Sequence, residues 1–328
     1  MSKKNQHGLA LLSVLLTLTL AMLLASGIAE SLQRQVRVSQ GLQSREQGWQ
    51  YALSSEQLAV KVLNQDFKDE KESVHLGQTW ATGNQTFSVD RGQISGDVVD
   101  MQGCLNLNAL AHDDAVDKES GKKETPLGVK VLAALLENLE VDSYTAESIV
   151  QATRDWVFPK TIPVAASGAD DDEYLALPVA YLAGNTDMRD KSEWRAVKGV
   201  TPERAVKALP FLCTIPESEL QLNINTVPED QPELMAAILL NRVDTVRAKD
   251  ILAQRPRDGW RDVDEFLALS QVAAIKTDDI KQALKVNSRF FEVRSRIQVG
   301  NTETRINSLM VRGSKDKLTV IRRRTGEV

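Results

Sequence analysis

The stretch Gly8–Ala29, GLALLSVLLTLTLAMLLASGIA, constrains this chain more than any other. It carries no charged residue over 22 positions. At about 1.5 Å per residue a helix of this length spans roughly 33 Å, the thickness of a bilayer's hydrocarbon core. Lys3 and Lys4 precede it, and Glu30 and Arg34 follow. Cations on the N-terminal flank hold that end in the cytoplasm, so the sequence predicts a single-pass protein with its bulk translocated.

Three readings fit the segment: a cleavable secretory signal, a plain membrane anchor, and a prepilin-type segment cut after a short polar leader. The leader Met1–Gly8 is polar and Gly8 abuts Leu9 directly. From Glu30 to Leu63 there is no proline, and Leu32, Val36, Leu42, Leu53, Leu58 and Val62 give an irregular apolar stripe. A secretory signal has no use for that helical continuation, whereas a filament subunit does. The prepilin reading is therefore favoured and the other two stay open.

The 328 residues carry a formal net charge of −5, which argues against nucleic acid as a main partner. The only two cysteines are Cys104 and Cys213. In a translocated domain they predict one disulfide, with two separate buried thiols as the alternative. The three histidines are His7, His75 and His112, the last two in segments that read as loops. No GxSxG, HExxH, P-loop or GxGxxG motif occurs, so no enzyme is predicted.

Strands are predicted at Thr86–Asp90 and Ile94–Leu107 and again within Arg289–Arg324. In the last of these Phe291, Val293, Ser295, Ile297 and Val299 share one face, and Glu292, Arg294, Arg296 and Gln298 share a water-facing one. Between the two strand groups the period becomes helical. Helices are expected at Leu127–Leu139, Thr145–Trp156, Lys191–Val197, Pro202–Leu209, Glu229–Leu240, Thr245–Ala253, Val263–Leu269 and Asp278–Val286. Pro159–Leu177 reads as irregular. The expected class is α+β: a long helix on one antiparallel sheet, with a helical domain inserted into it.

That insertion repeats itself. Val131–Trp156 parallels Glu233–Trp260, matching Ala133/Ala236, Ala134/Ala237, Val141/Val243, Asp142/Asp244, Ala146/Ala248, Ile149/Ile251 and Trp156/Trp260. The second unit is similar to a helix–hairpin–helix module. Its hairpin, Arg242–Val246, has no glycine and mixed charge around it, unlike one that grips a nucleic-acid backbone.

Asp170, Asp171, Asp172 and Glu173 stand in series inside a loop bounded by Gly and Pro. Asp155 precedes them, and Asn185 and Asp187 come after. Calcium takes six to eight hard oxygens from a loop free to wrap, so these seven residues are candidate ligands; the alternative is a solvated acidic loop.

The leader ending at Gly8, Leu9–Leu16, Asp97–Leu110 (DVVDMQGCLNLNAL), Asp155-Trp156, Gly168–Tyr174, Lys191–Gly199 (KSEWRAVKG) and Leu222–Thr226 (LNINT) together resemble the K-type minor pseudopilins of bacterial type II secretion systems. The resemblance covers nearly the whole chain. It implies cleavage by a prepilin peptidase between Gly8 and Leu9, with N-methylation of Leu9. It implies a pilin-like fold with a SAM-like or helix–hairpin–helix-like insertion. The domains would be a leader (1–8), a membrane segment (9–29), a pilin-like helix with the first strands (30–105), the insertion (106–288) and the closing strands (289–328).

It also implies an inner-membrane protein with its bulk in the periplasm, at the tip of a pseudopilus and needed to start assembly. The implied partners are the I, J and H minor pseudopilins, the major pseudopilin, the prepilin peptidase and the inner-membrane assembly platform, with secreted substrates as further candidates. Relatives bind calcium in the insertion. They tend to carry another acid after the Asp-Trp pair, where this chain has Val157 and Phe158. Ser13 stands where other pilin-like subunits carry a glutamate, which fits a subunit that docks beneath no other. The competing expectation is a membrane-anchored periplasmic binding module.

Overall fold

The structure, a computed structural model, describes residues 6–111, 115–116, 123–159 and 167–326. One helix, α1 (Gln6–Asp69), accounts for 64 of them. Along its N-terminal half Leu11 through Leu42 are exposed at every large apolar position. The other half lies on the sheet. There Ala52, Glu56, Ala59, Leu63 and Phe67 are buried, spaced three or four residues apart, so one face of the helix meets the strands. Gly48 starts this stripe, because a Cβ there would lie 2.6 Å from Thr304 Oγ1.

This corrects the stripe predicted from the sequence. Leu32, Val36, Leu42 and Leu58 are exposed, and only Leu53 and Val62 are half-buried. The docking face begins with small residues, Gly48 and Ala52, where helix and sheet approach closely, and takes the larger Leu63 and Phe67 only towards its end.

Five strands form the sheet: β1 (Gln85–Val89), β2 (Gly92–Asp100), β3 (Phe290–Val299), β4 (Thr302–Arg312) and β5 (Leu318–Thr325). They lie side by side in chain order, each antiparallel to the next. The β2–β3 ladder runs from Gly92↔Val299 to Asp100↔Phe291, so the insertion leaves and re-enters at one end of the sheet.

Phe291, Val293, Ile297 and Val299 face α1 as the alternation predicted, and Ser295 Oγ lies 2.7 Å from Ser55 Oγ. The opposite face is not open to water at its start. Phe290 and Glu292 are 4% and 5% exposed because the inserted lobe covers them.

The lobe holds α2 (Leu127–Asn138), α3 (Ser143–Val157), α4 (Asp171–Leu175), α5 (Pro202–Ala208), α6 (Pro232–Ile238), α7 (Thr245–Ala253), α8 (Val263–Leu267) and α9 (Ser270–Ala273). Lys191–Ala196 is a 3-10 turn rather than an α-helix. Pro232 at the first helical position starts α6 three residues later than expected. The acidic run is helical as α4, because Asp170 accepts from the backbone N–H of Asp172 and caps it.

Two expectations, one of a strand and one of a helix, fail for one reason. Ile94–Leu107 is not one strand; it stops at Asp100, and Leu105–Asn106 pairs parallel to Leu212–Cys213. Asp278–Val286 is not a helix; its Leu284–Lys285 pairs parallel to Leu222–Asn223. The main chain of Leu222 and Ile224 donates to Ala283 O (2.8 Å) and Lys285 O (3.0 Å), and that pairing holds the segment extended.

Candidate functional site

The chain passes between sheet and lobe through a buried polar gate. Asp100 ends β2. Its carboxylate accepts from Gln102 N (2.8 Å), Ser288 Oγ (2.5 Å), Thr226 Oγ1 (2.6 Å) and Asn223 Nδ2 (3.1 Å). Asn223 Nδ2 also donates to Val74 O at 3.0 Å. Three separated segments, 100–102, 223–226 and 288, therefore meet on one carboxylate, and Asn223 ties in a fourth at Val74. Burial raises the Asp100 pKa above its ordinary value, and the four hydrogen bonds oppose that rise.

Inside the lobe one device occurs twice. In Leu105-Asn106-Leu107-Asn108, Asn106 Oδ1 accepts from Asn108 N (3.2 Å), and Asn108 grips Met188 through both N (2.8 Å) and O (3.0 Å). In Leu222-Asn223-Ile224-Asn225, Asn223 Oδ1 accepts from Asn225 N (3.0 Å), and Asn225 grips Trp260 through N (2.8 Å) and O (2.9 Å). The turns just C-terminal to the two gripped residues also match. Asp190 and Asp262 cap them, and Glu193 and Glu265 accept from the N–H of Arg189 and Arg261.

The duplication is thus wider than the sequence comparison found, and its last pair needs correcting. Trp260 corresponds to Met188; Trp156 lies within α3. The other pairs hold, with Ala146, Ala248, Ile149 and Ile251 all buried and Asp142 and Asp244 capping α3 and α7. The two units meet across α2 and α6, where Asn138 donates to Glu233 O (3.1 Å) and Asn241 to Ala134 O (3.2 Å). The capping carboxylates also occupy the helix N-termini at both hairpins, which makes them poor receivers of phosphate.

Cys104 and Cys213 form a disulfide with a Cα–Cα distance of 5.9 Å across 109 residues. It lies beside Phe290 and Leu309, so it joins lobe to sheet as well as lobe to itself.

The acidic candidates are partly gathered. Asp155 is 4% exposed and accepts from Ala169 N (3.0 Å); Asp171 accepts from Ala183 N (2.9 Å). Those bonds, with the Asp170 cap, draw hard-oxygen donors from three segments towards one region. Glu173 pairs instead with Lys198 at 2.9 Å, and Asp172 is exposed. Asn185 has a left-handed backbone (φ 47°) and Asp187 stands at the surface. Trp156, Tyr174 and Tyr181 stack beside this region, and burial pushes the Tyr174 phenol up to about 12. Among the described residues no three His, Cys, Asp or Glu side chains converge closely enough to hold a metal ion.

Gly8 and Leu9 fall in the first turn of α1. That helix is long and apolar enough to cross a membrane, and its apolar window is entirely unburied, as a candidate membrane anchor would be. His75, expected in a loop, is buried there with Nε2 2.6 Å from Glu70, while His112 lies outside the described residues.

Residues 103–217 and 222–287 match two family models for protein K of the type II secretion system. The chain is 38% identical over 327 residues to the type II secretion system protein K of Aeromonas hydrophila, covering 99% of this chain and 98% of the relative. The chain belongs to the type II secretion system protein K family. The protein K of Klebsiella pneumoniae is 34% identical over 98% of this chain and 97% of its own.

A chain in the crystal structure of the GspK–GspI–GspJ complex from enterotoxigenic Escherichia coli superposes with a TM-score of 0.79 at 35% identity. The match covers 88% of this chain and 99% of that one. The two protein K family segments begin and end where the duplicated units do: each contains one Leu-Asn-x-Asn motif and closes near its parallel bridge.

Proposed function

We propose that this protein is a minor pseudopilin that sits at the tip of a type II secretion pseudopilus, helps start its assembly and serves export of folded proteins. The observation that carries this is α1. Its apolar half is unburied among the described residues, while its other half is bound to a sheet bearing an outsized lobe. A helix of that kind suits a bundle of equivalent helices in a membrane and then a filament. The lobe would obstruct a subunit stacking above it. Ser13 supports the same end position, since its hydroxyl bonds Ala10 O and offers no charge to a neighbour's amine.

The partners in this reading are the I, J and H minor pseudopilins, the major pseudopilin and the inner-membrane platform, after processing between Gly8 and Leu9 by the prepilin peptidase. The role is structural, not catalytic. N-terminal sequencing of the membrane-extracted protein should give a methylated Leu9. Site-specific cross-linking should place one copy at the filament end; copies distributed along the shaft would overturn the tip position.

Calcium belongs to the same proposal. Asp155, Asp170 and Asp171 stand too far apart to hold it in this arrangement, so the ion would have to draw them together, with Asp172, Glu173, Asn185 and Asp187 as further oxygen donors. Bound there, it would neutralise clustered carboxylates and tie α3 to the segment around α4. Chelator should then lower the lobe's melting temperature, and calcium in excess should restore it.

A further inference from the structure

We propose that the open half of the β2 edge takes up an extended segment of another protein, one whose side chains alternate apolar and acidic. The site rests on the fold rather than on the assembly role above. β1 covers β2 only from Gly92 to Gly96. Two residues before β1 the backbone turns away at Gly83 (φ 79°), arriving from the 3-10 turn Thr79–Ala81. Among the described residues Asp97–Asp100 therefore has β3 on one side and no strand on the other, where the turn Thr79–Ala81 approaches it and Asp100 O accepts from Gly103 N. Pairing alternates along a strand, and Met101 N donates to Phe290 O, so Val98 turns its N–H and C=O away from β3 towards that open edge.

Two cavities meet at this edge, both lined by Trp80, Gly83, Asp97 and Val98. The one on the α1 side, about 510 Å³, is walled by Leu58, Val62, Phe87 and Val293 and is mostly apolar, with Ser54, Ser55 and Gln85 also in its wall. The one on the lobe side, about 870 Å³, is lined by Lys191, Arg195, Arg294, Arg322 and Arg324 against Asp97, Asp190 and Glu292. Arg294 and Arg324 are paired to those last two acids. Among the described residues Lys191, Arg195 and Arg322 form no direct ion pair; Lys191 and Arg322 bond the carbonyls of Leu209 and Thr214, and the Glu292 carboxylate acts on both from further off.

A strand laid along β2 sends successive side chains to opposite faces. Residues on one side would fill the apolar cavity, and those on the other would meet unpaired cations. Backbone pairing supplies the attachment and the two cavities supply the selectivity, as in other strand-addition sites.

The test uses the full chain in detergent and a dye-labelled peptide of about seven residues alternating valine and glutamate, read by anisotropy. We expect saturable binding, weakened about tenfold or more when lysine replaces glutamate, by Arg322→Glu, or by Val98→Pro. A peptide N-methylated at alternate positions should also lose binding, which tests edge pairing without altering the protein. Equal affinity for the lysine peptide overturns the charge selection. Unchanged binding of the N-methylated peptide overturns strand addition. No binding, or displacement of the peptide by a second copy of this chain, overturns the proposed occupant.

Discussion

Asp100 has a titration that the fold should make visible. Burial raises its pKa, so in the folded chain it keeps its proton to higher pH than in the unfolded one. Its contribution to stability is greatest below the unfolded value, about 3.9, and declines as pH climbs through the folded value. Relative to Asp100→Asn, the natural protein should therefore lose stability as pH rises above about 4, measured by urea unfolding across a pH series. The asparagine grips make a second prediction. Asn225→Ala strands both main-chain groups of Trp260 and should cost about 2–4 kcal/mol, and Asn108→Ala a similar amount at Met188, read from the same unfolding curves. The cysteines were legible in the sequence from their number alone. Asp100 and the four asparagines were not: their motifs stood out, but their distant partners lie 35 to 188 positions away, beyond any local pattern. The repeated spelling Leu-Asn-x-Asn was the one local signal.

At the scale of elements, α1 shows what periodicity delivers and what it misses. Its length, and the five strands with their alternation, could be read directly. The face it docks could not, because the eye follows leucine while the contact is made by Gly48, Ala52 and Ala59. Gly48→Leu should drive the side chain into Thr304 and destabilise the helix–sheet contact by about 1–3 kcal/mol, whereas Leu42→Ala should be nearly neutral to the soluble head. Differential scanning calorimetry of both variants separates the two outcomes. Anchorage within the docked half of the helix comes from Glu56, buried on α1 and bonded to Ser308 and to Arg323 through both carboxylate oxygens. The short extended bridges at 105–106 and 284–285 were hidden for a different reason: two residues are too few for a period, and only tertiary pairing makes them strands.

At the scale of the molecule, the Cys104–Cys213 bridge closes a loop of 109 residues and fastens lobe to sheet. In the chain-entropy account its loss should cost about 4–5 kcal/mol, so reductant or Cys104→Ser should lower the melting temperature of the head substantially. The polypeptide leaves the sheet at Asp100 and comes back at Ser288, and those two side chains touch. The whole helical lobe therefore hangs from one doorway. Growth, shrinkage or exchange of its loops leaves the ladder between β2 and β3 in register, so the lobe can change its surface while the rod and sheet keep their shape.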